Sequence, residues 1–430
     1  MKILVYTSMY YIGREKQNLP LVKELRSRGH FVIHAAPNTK LSISNDPGFP
    51  LEFRTNKDFI GIKTRWIYSA GQMFRLIRKC DVLIVGNAKG LGTFVEYARE
   101  KKKIIIQMMD ITAFDHLNFE PNLFCTISDK FKDAFLNIFA YPSHRIRITG
   151  TLQFDDANPD NYVGLDKDSF CNKYKLDPSK KIAIWLPSSP ASQWDNRKQI
   201  YKQACEIISE SGFNLLIKGH PWDYLKRKME TQYPESPNLH SWEILAPGAS
   251  VCEPHDFYKA IYFCDVGVSS TSSVCIEFPL FHKPFIYVDR YESFLFPDFV
   301  TDAEFPIEKS HVPGWHKFDV HNNLIKMIEE GFKGVHPLSY TNPSYYKDPK
   351  LEFIGMDVKM DELKDVLENK KYLVTDTKLY ARYIQKWCFK NDGKAYKRIA
   401  DATEEYFKVN QVKNINVLTY LMDSLKIKGT

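Results

Sequence analysis

Short apolar runs alternate with longer amphipathic stretches along almost the whole of this chain, and that alternation restricts its fold more than any other feature. Ile3 to Thr7, Phe31 to Ala35, Val82 to Val85 and Ile104 to Gln107 are each four or five residues long. Runs this short and this apolar read as strands covered on both faces. Between them lie helical stretches about Leu19 to Arg28, closed by Gly29, and about Ala70 to Arg78 and Gly92 to Lys101. Leu123 to Ile127 then leads to a helix through Phe139, and after the Asp-, Asn- and Pro-rich stretch Asp156 to Gly164 the pattern resumes with Lys181 to Leu186 and a helix Lys198 to Ser211. Strands alternating with helices predict an α/β fold with parallel sheets wound on both faces. At 430 residues, with 44% hydrophobic and 14% aromatic content, the chain can fill two cores. Two Rossmann-like units are therefore expected, residues 1–155 and 167–340, with a linker at 156–166 and a helical C-terminal region at 341–430.

Two turns in the second half suit a phosphate. Phe263 to Asp289 reads FCDVGVSSTSSVCIEFPLFHKPFIYVD: a strand from Tyr262 to Val268, a hydroxyl-rich turn, about two turns of helix and a second strand from Phe285 to Val288. A helix starting near Ser272 aims free N–H groups and the positive end of its dipole into that turn. The hydroxyls of Ser269, Ser270, Thr271, Ser272 and Ser273 add donors. Glu277, four residues after Ser273, is expected on the same helical face, where its carboxylate accepts bonds from ribose hydroxyls. Taken alone, the turn is also readable as an ordinary helix cap with extra serines.

Upstream, Phe213 to Pro221 reads FNLLIKGHP, a buried strand with Lys218 and His220 at its C-terminal end. Ligands of open parallel sheets bind outside the carboxyl ends of strands, so both turns are expected to open onto one crevice. Lys218 places a point charge on a diphosphate, and His220 donates a bond to it or carries a proton. A third turn, PSSPASQW after Leu186, offers Ser188 and Ser189 to the phosphates and Trp185 or Trp194 to a base. Its other reading is a Pro/Ser loop with a packing tryptophan.

A strand ending in Lys-x-His-Pro, followed about fifty residues later by one ending in Asp-x-x-x-Ser-Ser with Glu and Lys-Pro behind it, resembles the donor half of GT-B glycosyltransferases. Within that group it resembles the CDP-glycerol glycerophosphotransferases and the capsular Kdo transferases, and UDP-N-acetylglucosamine 2-epimerases have a similar fold. The resemblance covers about Lys181 to Asp289. RITGTLQFD, Arg147 to Asp155, is similar to the Gly-x-Pro-x-x-Asp crossover of these families, with Leu152 in place of the proline. It implies two Rossmann-like domains facing a cleft, a CDP-, CMP- or UDP-linked donor, an acceptor that is a glycan or lipid-linked, and a C-terminal helix packed back across the first domain. The first βα turn borders the acceptor in such folds, making Tyr10, Tyr11 and Gly13 acceptor-binding candidates.

An inverting transfer needs a base within hydrogen-bond reach of the acceptor hydroxyl. The strand Ile104 to Met108 runs into MMDITAFDH, which sets Asp110, Asp115 and His116 at the carboxyl edge of the first sheet; one of these is the expected base, ahead of Asp129 and Glu120. Lys218, His220 and the start of the serine-turn helix would stabilise the leaving group in place of a metal. No D-x-D pattern stands at a strand end, so no metal is expected. Ser8 to Arg14 contains only Gly13 and lacks G-x-G-x-x-G, so no dinucleotide cofactor is expected either.

A net charge of +7, from 59 Lys and Arg against 52 Asp and Glu, suits an anionic donor or an acidic lipid surface better than nucleic acid. The basic, aromatic stretch Lys370 to Arg398 has two readings: a face for a membrane carrying the acceptor, or a solvated helical face with its aromatics packed inward. The latter is the commoner arrangement. Met1 to Tyr10 is apolar too briefly for a signal peptide and no run approaches a bilayer span, so a cytoplasmic protein, peripheral to the membrane at most, is expected. The eight cysteines occur singly and read as reduced core residues. Isomerisation of a sugar nucleotide, and nucleotide or carbohydrate binding without catalysis, remain the alternatives to transfer.

Overall fold

The computed structural model describes residues 1–6, 18–37, 64–67, 69–86, 92–109, 121–129, 131–133, 136, 141–187, 196–219, 246, 248–253, 256–269, 273–288, 356–374 and 376–426. Its first sheet is built from β1 (Lys2–Tyr6), β2 (Phe31–Pro37), β3 (Thr64–Ile67), β4 (Val82–Val85), β5 (Ile104–Met108), β6 (Leu123–Thr126) and β7 (Ile146–Ile148), joined among others by α1 (Leu19–Ser27), α2 (Ala70–Lys79) and α3 (Gly92–Glu100). All neighbours are parallel, in the order β3-β2-β1-β4-β5-β6-β7. Side chains alternate across the pleat, so each strand feeds two cores. Leu4 and Tyr6 join Met73, Leu76 and Ile77 of α2 on one face. Ile3 and Val5 join Leu21, Val22 and Leu25 of α1 on the other. Gly29 ends α1 at φ +84°, a conformation that favours glycine.

The chain crosses over through α4 (Leu152–Asp155) and α5 (Lys167–Lys173) into a second parallel sheet. This consists of β8 (Ile182–Trp185), β9 (Asn214–Ile217), β10 (Ser250–Val251), β11 (Val266–Ser269), β12 (Phe285–Val288) and β13 (Met356–Val358), with α6 (Asn196–Glu210) and α7 (Phe257–Phe263) among its connections. Its order, β10-β9-β8-β11-β12-β13, repeats the order of the first six strands of the first sheet. Two differences from the sequence reading stand out. Tyr262 and Phe263 end a helix, because Phe257, Ala260 and Ile261 bury a helical face and the strand begins only after Cys264 and Asp265. The second sheet also takes its last strand from 356–358, beyond the limit expected at 340. That strand has three residues, too few to show a period, and α8 (Leu363–Glu368) buries Leu363, Val366 and Leu367 behind it.

The C-terminal segment returns to the first sheet. α9 (Lys378–Tyr383) and the turn after it bury Tyr380, Tyr383 and Trp387, while Lys378, Arg382, Lys390, Lys394 and Lys397 are exposed. The aromatics of this stretch thus pack inward. α10 (Ala395–Lys426) starts on the crossover: the Asp155 carboxylate accepts from the N–H groups of Ala395 at 2.8 Å and Tyr396 at 2.9 Å, supplying acceptors that a helix start otherwise lacks. Arg398 Nε donates to the Thr149 carbonyl at 2.7 Å. Further along, Arg28 pairs with Asp401 at 2.6 Å and Glu404 at 3.1 Å, and His30 Nε2 lies 2.7 Å from Glu404. Ile399, Ala400 and Ala402 complete the core that holds Ile3 and Val5. Among the described residues no helix is long and apolar enough to cross a membrane, and the seven described cysteines are buried with free thiols.

Candidate functional site

The succession of strands in the second sheet reverses between β8 and β11, and the three sequence-expected turns leave the carboxyl ends of β9, β8 and β11, which are consecutive in the sheet. A topological switch point is where open α/β sheets hold ligands. The three ends are tied side by side. Lys218 N–H donates to the Trp185 carbonyl at 3.0 Å, and Leu186 N–H donates to the Val268 carbonyl at 2.9 Å. Neighbouring strands lie about 4.8 Å apart, so the outer two ends are separated by roughly 10 Å, within reach of one nucleoside diphosphate.

Lys218 is half-buried at the first of these ends. Its Nζ stands 4.9 Å from the centroid of the Phe257 ring, a placement in which the ring face attracts the ammonium. Phe257 opens α7, and the residue before it, Asp256, is 2% exposed. That carboxylate accepts from Lys173 and Lys259 at 2.7 Å each and from the Tyr174 hydroxyl at 2.9 Å, so its buried charge is compensated. The pairs fix the start of α7 and, through Phe257, the position of the lysine. Burial pushes the Cys252 thiol, beside Lys218, up to about 12.

At the far end, β11 runs into a 3-10 helix, Ser273–Phe281, in place of the expected α-helix. Pro279 lies within it and has no N–H to donate. The segment reaches its place because of Gly267: a Cβ there would lie 2.4 Å from Phe278 Cε1 and 2.6 Å from Phe285 Cδ2, so only glycine lets the Phe278 ring lie on the strand.

Two expected donor-site residues point elsewhere. The Ser269 side chain is fully buried and its hydroxyl donates to the Leu186 carbonyl at 2.5 Å, because strand alternation turns it into the sheet. Glu277 is 2% exposed, and its Oε1 accepts from Gln153 Nε2 at 2.5 Å. In a helix of three residues per turn, positions four apart do not share a face, and Glu277 turns toward the crossover, where Gln153 meets it. Trp185 is 0% exposed and packs edge-on against Tyr201, 5.5 Å between centroids, so of its two readings the packing one holds. Ser188, Ser189, Trp194, His220, Ser270, Thr271 and Ser272 lie outside the described residues, as does the Ser273 side chain.

On the first sheet, the candidate acceptor residues Tyr10, Tyr11 and Gly13 follow β1, and the candidate bases Asp110, Asp115 and His116 follow β5; these six, with Glu120, lie outside the described residues. The strand ends that lead to them are described. Tyr6 is buried, its hydroxyl pushed up to about 12 by burial, and Met109 N–H donates to the Cys125 carbonyl at 2.9 Å. Asp129 is exposed. Phe257, Gln153 and Tyr258 are the contributors that sequence reasoning missed, since each acts through a residue remote in sequence.

No protein-family model matches the chain, and no curated protein does. Solved structures do match. The wall teichoic acid polymerase TagF aligns over 95% of this chain and 90% of its own, at 11% identity and TM-score 0.55. The UDP-GlcNAc 2-epimerase from Neisseria meningitidis, bound to UDP-GlcNAc, aligns over 94% and 100%, at 12% identity and TM-score 0.51. The UDP-GlcNAc 2-epimerase from Methanocaldococcus jannaschii aligns over 94% and 100%, at 13% identity and TM-score 0.51. These likenesses and the paired parallel sheets of like strand order establish the architecture: the chain has the α/β GT-B fold.

Proposed function

We propose that this chain is a GT-B transferase that moves a sugar, Kdo or glycerophosphate unit from a CDP-, CMP- or UDP-activated donor to a cell-surface glycan or lipid-linked acceptor, without a metal. The observation that carries this reading is the side-by-side arrangement of the β9, β8 and β11 ends, with Lys218 on one flank and Ser269, the last residue of β11, on the other. In the reaction, one of Asp110, Asp115 and His116 takes the proton of the acceptor hydroxyl. The acceptor oxygen bonds to the donor's anomeric carbon or phosphorus, the bond to the nucleotide breaks, and the electron pair leaves on a phosphate oxygen. Lys218, His220 and the donors of Ser188, Ser189 and the 270–273 turn stabilise that charge. Tyr10, Tyr11 and Gly13 border the acceptor. Residues 1–155 supply the acceptor side, and 167–340 with the strand 356–358 the donor side. We place the protein in the cytoplasm, with the exposed lysines of 378–397 available to an acidic membrane surface.

The fold neighbours include a polymerase and epimerases, one of them bound to UDP-GlcNAc, so isomerisation of a sugar nucleotide is the second reading. Incubating the protein with CDP-glycerol, CMP-Kdo and UDP-GlcNAc, with and without a glycan or lipid-linked acceptor, separates the readings. Acceptor-dependent product is the expected result. An isomerised donor formed without acceptor supports the second reading, and nucleotide binding with neither product contradicts both.

A further inference from the structure

The serine-turn segment is tied to the crossover by a buried bond that the proposed transfer does not itself require. Gln153 lies on α4, directly after the first sheet, and Glu277 lies 124 residues later on the 3-10 helix of the second. Their side chains meet at 2.5 Å, with Gln153 Nε2 donating to Glu277 Oε1. Tyr258 of α7 stands over the pair: its hydroxyl is 3.2 Å from the Gln153 carbonyl, which accepts from it, and within hydrogen-bond reach of the Glu277 carboxylate. The Tyr258 ring stacks on Phe281 at the end of the same segment, 6.0 Å between centroids and 22° between planes. From the third side, Asn391 Nδ2 donates to the Leu280 carbonyl at 2.9 Å, and the His282 ring stacks on Tyr380.

A 3-10 helix has weaker internal hydrogen bonds than an α-helix, and Pro279 removes a donor from this one. Its orientation therefore depends on what holds it from outside. Burying a carboxylate is costly unless its oxygens are bonded, so Glu277 stays where Gln153 meets it. Among the described residues, Tyr258 of α7, Tyr162 of the linker and Cys388 after α9 also lie near Glu277, and the Gln153 amide is the donor that reaches it from the crossover.

We infer that Gln153 is a positioning residue: through Glu277 it sets the angle of the 273–281 segment, and with it the aim of the 270–273 turn at the donor's phosphates. The inference rests on the reading of that turn as the phosphate side of the donor site. It also couples the crossover between the two sheets to the donor site, since Gln153 on α4 bonds directly to the segment that follows the turn.

Exchanging the partners tests this. Gln153→Glu sets two carboxylates against each other, whereas Gln153→Glu with Glu277→Gln restores one donor and one acceptor with the roles reversed. Amide hydrogen exchange across 273–281 and the affinities for UDP and CDP are read on wild type, single and double variants. The expected result is faster exchange in Gln153→Glu, roughly tenfold weaker binding of whichever nucleotide the wild type takes, and recovery of both in the double variant. Unchanged exchange in the single variant, or a double variant no better than the single, overturns the inference. If Gln153→Glu does not fold, Gln153→Leu removes the bond without adding charge and carries the same readouts. A wild type that binds neither nucleotide sinks the donor-site reading alone, and the exchange data still decide whether Gln153 holds the segment.

Discussion

Gly267 shows how one missing methyl group shapes the candidate site. Phe278 fills the space above this glycine and lies against Phe285, 5.0 Å between ring centroids, which seats the segment behind the serine turn. Gly267→Ala is expected to cost about 1–3 kcal/mol through overpacking, read as a lower denaturation midpoint, and Gly267→Ala with Phe278→Leu should recover part of it. A midpoint unchanged by Gly267→Ala would show that the ring gives way freely. The same scale marks where sequence reasoning stopped. Lys218 was legible, because a lysine at a strand end needs only the strand to be placed. Glu277 was not, because its partner Gln153 lies on the crossover helix 124 residues away and its own helix has a different period from the one assumed. Ser269 looked like the first hydroxyl of a cradle and is the last residue of the strand, so the pleat decides its direction.

At the scale of elements, the uninterrupted apolar runs were readable and the strands of mixed polarity were not. Val82–Val85 and Phe285–Val288 fall where the sequence puts them, since four consecutive apolar residues between polar breaks fit little else. β3, β7 and β13 have four residues or fewer and mixed polarity; they are strands because the neighbouring edge offers them hydrogen bonds. The return of α10 to the first sheet rests partly on charge. Burial acts to raise the pKa of Glu404, but hydrogen bonds from His30 and Arg28 outweigh it and hold the carboxyl below its usual value. A carboxyl depressed in the folded state contributes stability above its unfolded pKa and loses that contribution as pH falls through the folded value. Glu404→Gln is therefore expected to destabilise the protein near pH 7, with the difference from wild type shrinking as the pH drops below about 4. Urea melts at several pH values check it, and a gap that widens on acidification would contradict the assignment.

Across the whole molecule, two sheets share one strand order, and in each the order reverses next to the first strand. That repetition was legible as two similar halves, while a cleft between the halves was expected only through resemblance. The donor side of the proposal stands on Lys218, which Phe257 and the compensated Asp256 hold at the end of β9. Isothermal titration of CDP, UDP and CMP into the wild type and into Lys218→Ala tests it most directly. At least one of these nucleotides should bind the wild type, and the loss of a charge-assisted contact should weaken that binding roughly tenfold in Lys218→Ala. Equal affinity in the two proteins, or no binding to the wild type, would contradict a phosphate site at these three strand ends.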